Sequence, residues 1–84
     1  MELKNTIEMM NSADFKERFK AEYFQLVIRR GKLEAMLEKY KADTLPFTPN
    51  CSYELLYEQV VYMKQYQRIL EERARIENVE LKEG

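Results

Sequence analysis

Apolar residues recur at alternating spacings of four and three over two long stretches of the chain. The first set is Phe19, Tyr23, Leu26, Arg30, Leu33, Leu37 and Tyr40; the second is Tyr53, Leu56, Val60, Met63, Gln67, Leu70 and Ala74. Heptad spacing of this kind lines each set along one side of an α-helix. It predicts one long helix over 15–41 and another over 53–78. At about 1.5 Å per residue the first is roughly 40 Å long. Between them, residues 42–52 hold Pro46 and Pro49, which stop a helix and favour extended backbone before them. Leu45 and Phe47 are expected to tuck back onto the helices, and Cys51 to pack as a small hydrophobe. Ser52 is placed to cap the second helix, with Asn50 as the alternative. Asp14, three residues before Glu17, has the spacing of a capping box for the first. Ahead of it, Leu3, Ile7 and Met10 share one side of a short helix over 2–10, which Asn11-Ser12-Ala13-Asp14 interrupts. A loop of about ten residues lets the long helices return antiparallel. The expected fold is all-α: a single domain over 1–84, a long antiparallel helical hairpin with a short N-terminal helix.

Each long helix also carries a second apolar strip. On the first it runs Phe24, Val27, Ile28, Gly31, Ala35; on the second, Leu55, Gln59, Tyr62, Tyr66, Ile69, Arg73, Ile76. An isolated hairpin would leave Phe24, Val27, Ile28, Tyr62, Tyr66 and Ile69 partly in water, and contiguous exposed patches of this kind mark interfaces. The hairpins are therefore expected to assemble as a homo-oligomeric helical bundle. Gly31 and Ala35, small and one turn apart, are expected to let another helix approach closely. Arg30 stands where a packed seam wants Leu or Ile. Its guanidinium must find an anion there, or its stem must cover the seam while its head reaches water.

Composition narrows the chemistry. Of 84 residues, 45% are hydrophobic and 35% charged, with two Gly and two Pro, which describes a helical chain. No His is present, so no imidazole base exists and most zinc sites are excluded. Cys51 is alone, so it forms no intrachain disulfide, and without a His partner it makes a poor nucleophile. Nucleotide-hydrolase, dinucleotide-fold, zinc-protease and thiol-redox motifs are all missing. The expectation is a protein that is not an enzyme and takes no metal or cofactor. Neither an N-terminal apolar signal segment nor a run of about 18 apolar residues occurs, which fits a cytoplasmic protein without a membrane span. Net charge is −1, too small for a non-specific binder of duplex DNA. The charge is nonetheless uneven. Residues 15–41 carry eight Lys and Arg against four Glu, whereas residues 52–84 carry five against seven. The basic stripe can meet phosphates, or it can be a solvated helix face with pairs such as Arg18–Glu22.

The segment Phe15-Lys16-Glu17-Arg18-Phe19-Lys20-Ala21-Glu22-Tyr23, followed by Leu33-Glu34-Ala35-Met36-Leu37, resembles the first half of a family of small phage and prophage proteins. That family is named after a gene product of a crAss-like gut phage. The second half is also similar: Leu55-Leu56-Tyr57-Glu58-Gln59, Met63, Tyr66, Leu70 and Arg73 follow its spacing. The resemblance covers residues 15–81. The family looks like compact phage proteins that act as sponges, helical oligomers that sequester the cyclic nucleotide signals of bacterial defence systems such as CBASS and Thoeris. It implies an anti-defence protein in the bacterial host cytoplasm. Such a protein would bind a cyclic oligonucleotide or cyclic ADP-ribose-type signal at oligomer interfaces without cleaving it. This task needs cationic forks for phosphates and aromatic faces for bases, and no catalytic group. The candidate ligand-binding residues are Arg29, Arg30 and Lys32 on the first helix, joined by Tyr23, and Tyr62, Tyr66 and Arg73 on the second. The tyrosines can equally be interface packing with the hydroxyl at the rim. Two readings of another class stand beside this one: a protein–protein interaction module or inhibitor docking a helical face on a host protein, and a purely structural helical oligomer.

Overall fold

The first long helix starts where Asp14 can cap it. In the computed structural model, which describes residues 1–82, the Asp14 carboxylate accepts a hydrogen bond from the Lys16 backbone N–H at 2.9 Å. This satisfies one of the orphan donors of the first turn. The expected capping box does not form: the Asp14 N–H donates to Ser12 Oγ at 3.0 Å, and Glu17 pairs with Lys20 at 3.4 Å instead. The α-helices among the described residues are α1 (Ile7–Met10), α2 (Phe15–Lys41) and α3 (Tyr53–Glu77). Ser52 caps α3, its Oγ accepting from the Leu55 N–H at 3.1 Å. Asn78 then takes a left-handed conformation (φ 56°), one of the few that Asn adopts readily. The chain reverses there, and the Val79 N–H reaches back to the Ala74 carbonyl at 2.9 Å. A Schellman-like turn of this kind brings a hydrophobic side chain against the helix it ends. Val79 duly joins the core.

Cross-helix contacts fix the topology. Phe19 meets Arg73, Tyr23 meets Glu71, Arg30 meets Gln67 and Tyr40 meets Tyr53. As the α2 numbers rise the α3 numbers fall, so the helices are antiparallel. The molecule measures 43 × 24 × 19 Å, its long dimension close to that of α2. The core joins Phe19, Leu26, Leu70, Ala74 and Val79, with Tyr23, Met63 and Leu81 packed against it. Every member of both heptad seams is buried or half-buried. Burying a side chain such as Leu70 contributes about 1.5–3 kcal/mol.

The N-terminal segment departs from expectation. Its opening turn, Leu3–Thr6, is a 3-10 helix that passes into α1. With three residues per turn the faces rotate relative to an α-helix. Ile7 and Met10 therefore face solvent, while Thr6 turns inward with 1% exposure. Thr6 Oγ1 donates to the Leu3 carbonyl at 2.7 Å and accepts from Gln25 Nε2 at 2.9 Å. These turns pack on α2 alone. Phe24 and Ala21 lie outside the α2–α3 core yet are buried, at 6% and 1% exposure. The strip expected to leave Phe24 in water is thus covered within one chain at Phe24 and partly at Val27 and Ile28, while Gly31 and Ala35 stay exposed.

A Cβ built on Gly31 would meet nothing within 4 Å, so among the described residues no helix crosses it and its surface stays open to another chain. Two other expectations fail. Cys51 is exposed rather than packed. Leu45 folds back and is half-buried, but Phe47 stays 55% exposed. The chain bends at Pro46 and Phe47, which turns the Phe47 ring away from the side on which Leu45 packs.

Candidate functional site

Arg30 finds an anion inside the hairpin. Its Nε donates to Gln67 Oε1 at 2.8 Å, and its Nη1 forms a hydrogen-bonded ion pair with Glu34, one turn on. Lys64 approaches the other Glu34 oxygen at 3.6 Å. On the far side, Gln67 Nε2 donates to Glu71 Oε2 at 3.2 Å, and the Tyr23 hydroxyl donates to the same oxygen at 2.7 Å. A continuous polar chain thus crosses the seam: Tyr23, Glu71, Gln67, Arg30, Glu34, Lys64. Burial and the bond to the Glu71 carboxylate push the Tyr23 phenol above its usual pKa. Tyr23 and Arg30 are therefore spent on holding α2 to α3.

Four other candidates share a flank of the hairpin. The Tyr66 hydroxyl donates to Glu22 across the helix pair. Arg29 is exposed on α2, seven residues from Glu22 and hence on the same side. Tyr62 lies one turn from Tyr66 in the direction of Arg29 and is 64% exposed. Arg73, seven residues from Tyr66 the other way, lies 5.0 Å above the Phe19 ring and 3.7 Å from Glu77. A guanidinium over an aromatic face is held by the ring quadrupole. The flank also exposes Leu55, Ile69 and Ile76. Aromatic faces, cationic heads and open apolar surface therefore occur together there.

Lys32 is not part of this group. It lies on another face of α2, beside Ala35, Met36 and Lys39, where the interhelical loop comes down. The seven sequence candidates are thus divided three ways: Tyr23 and Arg30 in the seam, Arg29, Tyr62, Tyr66 and Arg73 on the flank, Lys32 under the loop. The expected Arg18–Glu22 pair does not form. Arg18 donates to the Ser12 carbonyl at 2.9 Å, which ties the N-terminal segment to α2. Sequence reasoning placed Gln67 in the seam but missed its bond to Arg30, and it missed Glu22, Glu34 and Glu71 as partners. The Arg30–Glu34 pair follows i,i+4 spacing on one helix, but only the register between the helices shows that Glu22 meets Tyr66 and Glu71 meets Tyr23.

No helix among the described residues is long and apolar enough to cross a membrane. No group of three or more His, Cys, Asp or Glu side chains among them could hold a metal ion. Comparison with curated proteins and with solved structures finds no match. A family model described as Sequestin matches residues 13–76, from the Asp14 cap through almost the whole of α3. Because that match spans well over half of the chain, the protein belongs to the Sequestin family.

Proposed function

We propose that this protein sequesters a nucleotide-derived immune signal of the cyclic oligonucleotide or cyclic ADP-ribose type. It would hold the signal reversibly at an interface between copies of the chain. The observation that carries the proposal is the exposed flank on which Tyr62, Tyr66, Arg29 and Arg73 lie among uncovered apolar side chains. Phenol faces stack on bases, and arginine heads make charge-assisted bonds to phosphates. The family name, which denotes sequestering, supports the same activity. Phage origin, an anti-defence role and action in the bacterial cytoplasm belong to this proposal, since that is where such signals are made.

Binding without cleavage is part of this proposal, and the side chains at hand support it. The chain has no imidazole, and Cys51, which is exposed, has no His to serve as its base. The flank supplies attraction and stacking, and its carboxylates are engaged, Glu22 by the Tyr66 hydroxyl and Glu77 by Arg73. Charge-assisted bonds contribute about 1.5–3 kcal/mol each and stacking about 1–3 kcal/mol per base. Two of each, less the ordering cost, reach nanomolar to micromolar affinity.

The test is calorimetric titration with a panel of cyclic di- and trinucleotides and cyclic ADP-ribose isomers, followed by heating the complex and assaying what is released. Heat with at least one member and release of intact ligand are expected. Tyr62→Ala and Arg73→Ala should weaken that binding without unfolding the chain. No heat with any member would turn the reading towards a helical face that docks a host protein. A cleaved product would show an enzyme.

A further inference from the structure

We propose a second binding site, for a nucleotide-class anion, in the cleft between the C-terminal half of α2 and the interhelical loop. The cleft has a volume of about 360 Å³, within the roughly 300–1,000 Å³ of small-molecule sites. Ala35 and Met36 form its floor, Leu45, Pro46 and Phe47 its wall, and Lys32 and Lys39 its cationic rim. The two lysines are seven residues apart, a rise of about 10.5 Å along one side of the helix. Both heads can converge on one pyrophosphate or take two separate phosphates.

The charge here is unanswered. Among the described residues, the Lys and Arg side chains without a hydrogen bond, ion pair or ring contact are Arg29, Lys32, Lys39 and Lys41. All four lie in the second half of α2, and two of them line this cleft. Its lining contains no acidic residue. The neighbouring groove between α2 and α3 differs: Glu34 and Glu38 balance Lys41 and Lys64 there. An unbalanced cationic rim over an apolar floor calls for an anion with an apolar body.

Phe47 selects the kind of body. Its ring is 55% exposed at the cleft wall, yet the loop that carries it is anchored. The Thr44 N–H donates to the Lys39 carbonyl at 2.9 Å, and the Asp43 N–H donates to the Tyr40 carbonyl at 3.1 Å. Asp43 adopts a left-handed turn, φ 59°, and Pro46 and Pro49 restrict the backbone on either side of Phe47. A pre-positioned exposed ring beside two free ammonium groups matches a planar base joined to phosphates. The site goes beyond the flank reading and does not depend on it.

ADP is the probe, with adenosine and inorganic pyrophosphate as its separated halves. Binding of ADP to the full chain is measured calorimetrically at low and moderate salt. ADP should bind more tightly than either half, and more weakly as salt rises. The double variant Lys32→Ala/Lys39→Ala should weaken ADP by about 10-fold or more, and Phe47→Ala by a similar factor. Ala35→Leu, which fills the exposed floor and removes no charge, should block the cleft. All these positions are on the surface, and circular dichroism melts check that the variants fold. Tyr62→Ala on the flank should leave ADP binding unchanged, whatever it does to the cyclic signal. The inference is overturned if millimolar ADP gives no heat, if the cleft variants bind ADP as the parent does, or if pyrophosphate alone equals ADP. Loss of ADP binding in Tyr62→Ala but not in the cleft variants would move the nucleotide to the flank and also end it.

Discussion

Arg30 and Gly31 are chain neighbours with opposite fates. Arg30, half-buried in the seam, is ringed by Gln67 and Glu34, whereas Gly31 faces solvent with open space where a Cβ would be. Glycine at an exposed position inside a helix costs about 0.5–1 kcal/mol relative to alanine. Gly31→Ala should therefore raise stability by that amount, seen as a higher denaturation midpoint; a loss of stability would mean that a second chain approaches there. Tyr23 offers a test of the seam network. Its phenol ionises above the usual tyrosine value because of burial and the bond to Glu71. In the unfolded chain it ionises near its ordinary value of about 10. Between those two values the folded state holds a proton that the unfolded state has lost, so stability falls as pH rises through that window. Below it this group makes stability independent of pH. Tyr23→Phe should cost about 0.5–1.5 kcal/mol at neutral pH through the lost bond. The gap to the parent should narrow above pH about 10. Denaturant melts at stepped pH measure both, and parallel curves would show that Tyr23 is not coupled to Glu71.

Elements differ in how far the sequence discloses them. The two long helices were legible because seven-residue periodicity persists over 27 and 25 residues, and Asp14 and Ser52 mark their starts. The N-terminal segment is too short for periodicity to decide its facing. Leu3, Ile7 and Met10 suited an α-helical stripe, but the 3-10 opening turn buries Thr6 instead. This has a direct test. Thr6→Val keeps the shape but removes the hydroxyl that bridges the Leu3 carbonyl and Gln25, and should cost about 1–2 kcal/mol. Ile7→Ser, one residue on and exposed, should stay within about 0.5 kcal/mol of the parent. If Ile7→Ser proved the costlier change, the amphipathic reading of residues 2–10 would be right after all. The candidate site was legible by residue type but not by grouping. Arg30 looked like a ligand residue because an arginine in a seam needs a partner; Glu34 supplies one at i+4 on the same helix, and Gln67 supplies the other across the pair at a register that spacing does not reveal. Lys39 went unremarked and Phe47 was expected only to pack, because their proximity arises only when the loop folds onto α2.

At the scale of the whole molecule, the hairpin uses one apolar side of α3 and leaves another open. Leu55, Tyr62, Ile69 and Ile76 stand at exact heptad intervals along its outer flank, between 48% and 65% exposed, with Tyr66 and Arg73 in the alternate positions. This is the spacing that a second helix reads, and among the described residues nothing covers it. On α2 the bulky part of the comparable strip is already covered, since the N-terminal turns bury Ala21 and Phe24 and Ile28 is half-buried on the same side, which leaves only the small residues Gly31 and Ala35 exposed. Self-association is therefore expected through α3 rather than through α2. The net charge of −1 offers little repulsion against it. Light scattering at micromolar concentration should return a multiple of 10.2 kDa. Ile69→Glu would place an unpaired carboxylate in the middle of the contact, at a cost of about 3–5 kcal/mol. It should return the mass to that of one chain while the far-ultraviolet circular dichroism stays helical. Ile28→Glu, against the N-terminal turns, should instead lower the stability of the chain at any concentration. If the parent protein is a single chain at micromolar concentration, or if Ile28→Glu dissociates it and Ile69→Glu does not, the α3 flank is not the contact. A signal held there would then have to be bound by one chain alone, with half the number of tyrosines and arginines around it.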